Sequence, residues 1–177
     1  MTRKIRSQTR FAVAIFSLCI IASLAAGGET GANASPKAVI ANFSYQDTSN
    51  EVHDQTAEHA ARLNAFNERL RADLSGAHGF SIVSLNCSSS CPQAESNLSA
   101  LAAESARAGA AFVLIGGIHK TSTLIQWAKA TIIDVRRDQP VYDRLLTFRG
   151  DSDEAWEHAE AFIARDIGQW LKSQAKE

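Results

Sequence analysis

Apolar and polar positions along the chain alternate between two periods, and the changes of period divide it into eight elements. Residues 37–45 (KAVIANFSY) hold Val39, Ile40 and Phe43 in a short extended run, a first strand. A polar loop over 46–54 follows. Ala60, Leu63, Phe66, Leu70 and Leu74 then recur at steps of three and four, which places them on one face of a helix over 56–74. Arg62, Glu68, Arg69 and Asp73 fall off that face, and Gly76 and Gly79 supply the C-terminal stop. Residues 80–85 (FSIVSL) alternate as a second strand. After a tight polar loop over 86–92, Pro92 suits the first turn of a second helix. That helix presents Leu98, Leu101, Ala102, Ser105 and Ala108, and Gly109 closes it.

The stretch from Gly109 to Trp156 organises the rest. Residues 112–118 (FVLIGGI) are continuously apolar, as in a central strand covered on both faces, and Gly116 and Gly117 mark a bend or a close approach of backbone. Residues 123–135 are rich in β-branched side chains and include Trp127, a further strand. Residues 136–140 (RRDQP) read as the turn of a hairpin leading into a strand over 141–148. Asp151 and Glu154 have the spacing of a capping box opening the last helix. Trp156, Ala159, Ile163, Ile167, Trp170 and Leu171 form its apolar stripe. The expected fold is α/β (α+β), a single domain in the order β-α-β-α-β-β-β-α with a mixed sheet packed by helices.

Charge changes the picture at the N-terminus. Arg3, Lys4, Arg6 and Arg10 precede an uninterrupted apolar run over 11–26, followed by small residues ending Ala32-Asn33-Ala34. Positive, apolar, then A-x-A is the layout of a secretory signal peptide, expected to occupy 1–34 and to be removed, leaving 35–177 as one periplasmic domain. The apolar run is shorter than the ~20 residues a membrane span requires. Cys19 follows Leu18 in mid-run, not a small residue at its end, so lipid attachment is not expected. The whole chain has formal charge −1, of which 1–34 contribute +3, leaving −4 on the remainder. A mildly acidic body is a poor electrostatic match for nucleic acid or for an anionic bilayer.

Cys87 and Cys91 remain after the leader, an even count in an exported chain, and read first as a disulfide pinning the loop between them. A redox pair is the alternative, because Cys91 stands at the mouth of a helix where a thiol pKa falls. The five histidines show neither H-x-x-x-H nor H-E-x-x-H spacing, so no metal site is assigned. His119 could meet Asp151 or His158 if the third strand ends near the last helix. Lys120 to Thr123 resemble an anion cradle, but there is no phosphate loop, and the plainer reading is a turn capped by hydroxyls. Ser88, Ser89 and Ser90 sit in no nucleophile elbow. Asp151 is read as a helix cap with Arg149 as its ion partner.

Val39 with Phe43, then Gly79-Phe80-Ser81-Ile82-Val83, then Ala108-Gly109-Ala110 through Lys120 follow a recurrent pattern. It resembles the periplasmic α/β domain shared by the amino-terminal part of TolB, CsgG and LpoB. A narrower likeness, carried by Cys87 and Cys91, residues 116–124 (GGIHKTSTL), 148–151 (FRGD) and 153–156 (DEAW), is to a family of small secreted bacterial proteins of unknown function. The resemblance implies a periplasmic, non-enzymatic adaptor without a cofactor. The expected function is therefore binding of an envelope protein partner, with no nucleic acid and no stable membrane span after cleavage. The alternative is a small-molecule or metal-binding accessory protein, with His119, Lys120, Arg149 and Asp151 converging at one end of the sheet as the binding surface.

Overall fold

The first apolar block forms two strands, not one. The computed structural model describes residues 35–76, 79–86 and 91–174. In chain order the elements are β1 (Lys37–Ile40), β2 (Ser44–Asp47), α1 (Thr56–Gly76), β3 (Ser81–Ile82), α2 (Ala94–Arg107), β4 (Phe112–Lys120), β5 (Ile125–Asp134), β6 (Gln139–Arg149) and α3 (Asp153–Gln174). β1 and β2 lie end to end, parallel to the two halves of β4. Ile40 pairs with Leu114 and Ser44 with Gly117, so three residues on one strand face two on the other. Such a bulge re-aims a side chain. Here it sends Phe43 into the core, 2% exposed, with its N–H donated to Asn67 Oδ1 at 2.8 Å. Gly116 answers it across the ladder. A Cβ at Gly116 would collide with the Phe43 ring and the Lys129 carbonyl oxygen, which is the close approach expected from the glycine pair.

The sheet has the order β3-β1-β4-β5-β6, with β2 beside β4. The pairs from β3 to β4 are parallel, and β4-β5-β6 form an antiparallel meander. The last three extended segments therefore sit side by side as expected. The second strand shrinks to the two residues of β3 because only Ser81 and Ile82 pair with β1.

Side-chain alternation along β4 defines two unequal layers. Leu114 and Ile118 face the main core, built with Phe66, Leu70 and Leu74 of α1 and Trp156, Ile163 and Ile167 of α3. Val113 faces the smaller layer with Val39, Leu101 and Ala110 beneath α2. On α1 the buried face enters through His59 at 3% exposure, while Ala60 is exposed. The α2 stripe also shifts: Leu101 and Ser105 are buried, but Leu98 is 37% exposed.

Both helix starts differ from expectation. Pro92 precedes α2, which begins at Ala94 and is interrupted at Asn97, a non-helical residue whose Oδ1 accepts the Ala100 N–H at 2.9 Å. Asn97 thus caps the longer segment, as an Asx side chain does. Asp151 does not cap α3. Ser152 does, its Oγ accepting the Ala155 N–H at 3.3 Å.

Candidate functional site

Lys120 is the last residue of β4, and alternation turns it to the same side as Leu114 and Ile118. It is fully buried at the end of the main core. A buried ammonium must have its donors satisfied. Nζ donates to Asp151 Oδ2 at 2.6 Å, Gln55 Oε1 at 2.7 Å and Glu51 Oε2 at 3.0 Å, using all three of its N–H bonds. The acceptors come from the loop joining β2 to α1 and from the turn joining β6 to α3, so one side chain ties together four elements.

Asp151 is the second hub. Its Oδ2 also accepts from His59 Nε2 at 2.8 Å, and its Oδ1 accepts from Arg62 at 3.0 Å and from Gln126 Nε2 at 3.3 Å. Arg62 continues to Asp153 at 2.8 Å. Gln126, opposite Lys120 in the β4–β5 register, also donates to the Gly150 carbonyl at 2.8 Å. The His59 ring packs with Tyr45, at 4.7 Å between centroids, and with Trp156, at 6.3 Å, and those two rings also meet, at 5.6 Å. Gly150 adopts φ +94, a conformation that glycine reaches without strain and that delivers Asp151 to the cluster.

Electrostatics in the cluster are mutually locking. Burial disfavours the Lys120 ammonium, but hydrogen bonds and charge from Asp151 and Glu51 outweigh it and raise the pKa above the ordinary lysine value. Burial likewise opposes the Asp151 carboxylate, and Lys120 and His59 overcome it, so that pKa is lowered. Burial, with Asp47 and Asp151 nearby, pushes the Tyr45 phenol up. A protonated lysine and a protonated phenol are neither nucleophile nor base at neutral pH.

Beside this cluster, and sharing Glu51, Gln55 and His59 with it, a pocket of about 530 Å³ at the C-terminal end of β2 is also lined by Tyr45 and Asp47. On the opposite sheet face a groove of about 370 Å³ runs over Gly117, walled by His119, Trp127 and Lys129. Among the described residues no three His, Cys, Asp or Glu side chains are grouped to hold a metal ion.

Of the four residues expected to converge, Lys120 and Asp151 meet, and the other two do not. His119 is adjacent to Lys120 in sequence, so the strand sends it to the other face. There it bonds Thr48 Oγ1 through Nε2 at 2.6 Å and packs edge-on to Trp127 at 4.8 Å. Arg149 is exposed on β6, and Asp151 pairs with Lys120, Arg62 and His59 in its place. His59, Arg62, Glu51, Gln55 and Gln126 were missed. His59 did leave a signal, since it stands four and seven residues before Leu63 and Phe66 on the apolar face. The hydroxyl-capped turn is present: Ser122 Oγ accepts the Leu124 and Ile125 N–H groups at 3.3 and 3.0 Å. Cys87 lies outside the described residues.

These features define a mixed α+β domain, a six-stranded sheet packed by three helices among the described residues, with a buried ion cluster at one sheet end. The chain belongs to the family described as "Protein of unknown function (DUF2380)", whose profile, DUF3280, matches residues 36–167. No curated protein matches the chain. In fold it is similar to the hypothetical protein CT253 from Chlamydia trachomatis, with TM-score 0.51, 11% identity, and coverage of 78% of this chain and 99% of that one. The LpoB C-terminal domain from Escherichia coli aligns with TM-score 0.47 and 13% identity over 66% of this chain and 84% of that one. TolB from Acinetobacter baumannii aligns with TM-score 0.49 and 18% identity, covering 78% of this chain and 29% of that one. No described helix is long and apolar enough to cross a membrane.

Proposed function

We propose that this protein is an exported accessory protein of the cell envelope, acting as a non-enzymatic adaptor that binds a protein partner. Residues 1–34 direct export and are removed, and 35–177 work in the periplasm as one domain. The basic, apolar and small-residue layout of the N-terminus supports export. A Cys87–Cys91 disulfide belongs to the same reading, supported by Cys91 being disulfide-bonded with Cys87 the other cysteine after the leader.

The observation that carries the adaptor reading is the division of labour between the two sheet faces. The charged side chains of the ion cluster are paired with one another within the chain, so the cluster holds structure. The opposite face is covered by α2 only over its first part, leaving Ile125 41% and Leu145 61% exposed around Trp127 and His119. Apolar side chains grouped beside a groove mark a contact surface for protein. His119 and Arg149 belong to this face, which keeps them as candidate contact residues, whereas Lys120 and Asp151 act from within.

Affinity capture from a periplasmic extract tests it. The wild-type domain is expected to recover a partner that an equally stable Trp127→Ser variant does not; equal recovery by both, or none by either, overturns the reading. The pocket beside Tyr45 favours a second reading, a small-molecule-binding accessory protein. A metal or metabolite that raises the unfolding midpoint of the wild-type protein, and fails to do so for Tyr45→Ala, would establish that one instead.

A further inference from the structure

The two edges of the sheet are built differently. On one side β3 offers two residues and β2, paired only with β4, offers four. On the other, β6 offers eleven. Exposed edges are ordinarily blunted by shortness, lysine, proline or a bulge. β6 has a bulge and Pro140 only at its start, opposite Ile132 and Ile133. From Tyr142 to Arg149 its register is continuous and contains neither lysine nor proline. The charges it carries near the middle are bound within the chain, Arg144 to Asp166 at 2.8 Å and Asp143 to Lys129 at 3.4 Å.

The backbone phase of the free edge follows from one bond. The Gly150 N–H donates to the Leu124 carbonyl at 3.0 Å, in line with the Ile125–Arg149 register. In an antiparallel ladder, hydrogen-bonded and non-bonded pairs alternate. Gly150, Phe148, Leu146, Arg144 and Tyr142 therefore exchange bonds with β5. Asp143, Leu145, Thr147 and Arg149 turn their N–H and C=O groups outward to the edge.

We propose that β6 pairs antiparallel with β6 of a second copy of this chain, about a two-fold axis at Leu146, continuing the sheet across the dimer. This register sets all four outward residues against outward residues: Asp143 faces Arg149 of the other copy, and Leu145 faces Thr147. Each such pair exchanges two bonds, about eight in all. It places opposite charges directly across from each other twice. Moving the axis to Arg144 would set that residue against itself, and moving it to Leu145 or Thr147 would leave Asp143 without Arg149 opposite. Arg149 makes no ion pair among the described residues, which leaves it available. The choice of a second copy rests on this self-complementarity, and it goes beyond the adaptor reading without depending on it.

Charge reversal separates this arrangement from any other. Wild-type protein is expected to sediment at twice the chain mass at concentrations on the order of 100 μM, in the range of weak to moderate self-association. Asp143→Arg and Arg149→Asp should each weaken the dimer by about tenfold or more, because each sets like charges opposite one another. Mixing the two variants should restore it, since each then supplies what the other lacks, and the double variant should dimerise alone. Both positions are exposed, and circular dichroism verifies that each variant is folded. A monomeric wild type overturns the proposal. So does a dimer indifferent to the single reversals, or a mixture that fails to associate.

Discussion

At the residue scale the decisive choice is what a buried charge is allowed to touch. Lys120 survives complete burial because three oxygens surround its amine, two of them on carboxylates. Removing one partner of a buried ion pair strands the others, at a cost of roughly 3–5 kcal/mol. Lys120→Met is therefore expected to lower stability by about that amount, read as a fall in urea midpoint with unchanged slope. Exposed Lys129, whose ion pair with Asp143 is half-exposed, should lose less than about 1 kcal/mol on the same replacement. The sequence hid this site because the participants are ordinary polar residues at wide separation. Asp151 in particular sits at a helix start, where its local reading as a cap was sound. A carboxylate within reach of a buried ammonium, an imidazole and a guanidinium makes stronger bonds than one backbone N–H provides, and Ser152 took the cap.

At the element scale the bulge between β1 and β2 explains features that the apolar pattern left separate. Three residues facing two shifts the register, Phe43 enters the core, and Gly116 leaves room for its ring. Gly116→Ala should displace Phe43 or the β4–β5 ladder and destabilise by about 1–3 kcal/mol, the usual range for overpacking. Gly109→Ala would probe something else, since its φ of +79 lies in open space where backbone strain alone opposes a Cβ. Comparing the two midpoints distinguishes a steric need from a conformational one. The period of the apolar residues had located α1, α3, β5 and β6 within a few residues. It could not show that residues 37–45 break into two strands, because both halves face the same neighbour and a bulge preserves composition.

At the scale of the whole molecule, two buried carboxyls pull stability in opposite directions with pH. Asp151 titrates below its ordinary value in the fold, so its contribution is present at neutral pH and is lost as pH falls through the acid range. Glu160, 3% exposed between α3 and α1, has its pKa pushed up by burial and then by Asp73, to about 7 from 4.5. The folded state then holds a proton that the unfolded chain releases, so this carboxyl weakens the fold as pH rises from about 4.5 through about 7. Stability should peak at about pH 4, above the loss of the Asp151 contribution and below the onset of the Glu160 penalty. Glu160→Gln should raise the urea midpoint at pH 8, by an amount corresponding to about 3 kcal/mol, with the gain vanishing near pH 4. A gain equal at both pH values would show that packing, not ionisation, is responsible. By itself the sequence determined what depends on neighbours a few residues apart: helix faces from a 3.6-residue period and strands from alternation. Only the tertiary structure decided which polar residues are inside. Burial of His59, Lys120 and Asp151 results from strands and turns meeting in space, and no local pattern encodes the distance between residues 59 and 151. The free edge of β6 is of the same kind, since a strand is an edge only once the order of the others is settled.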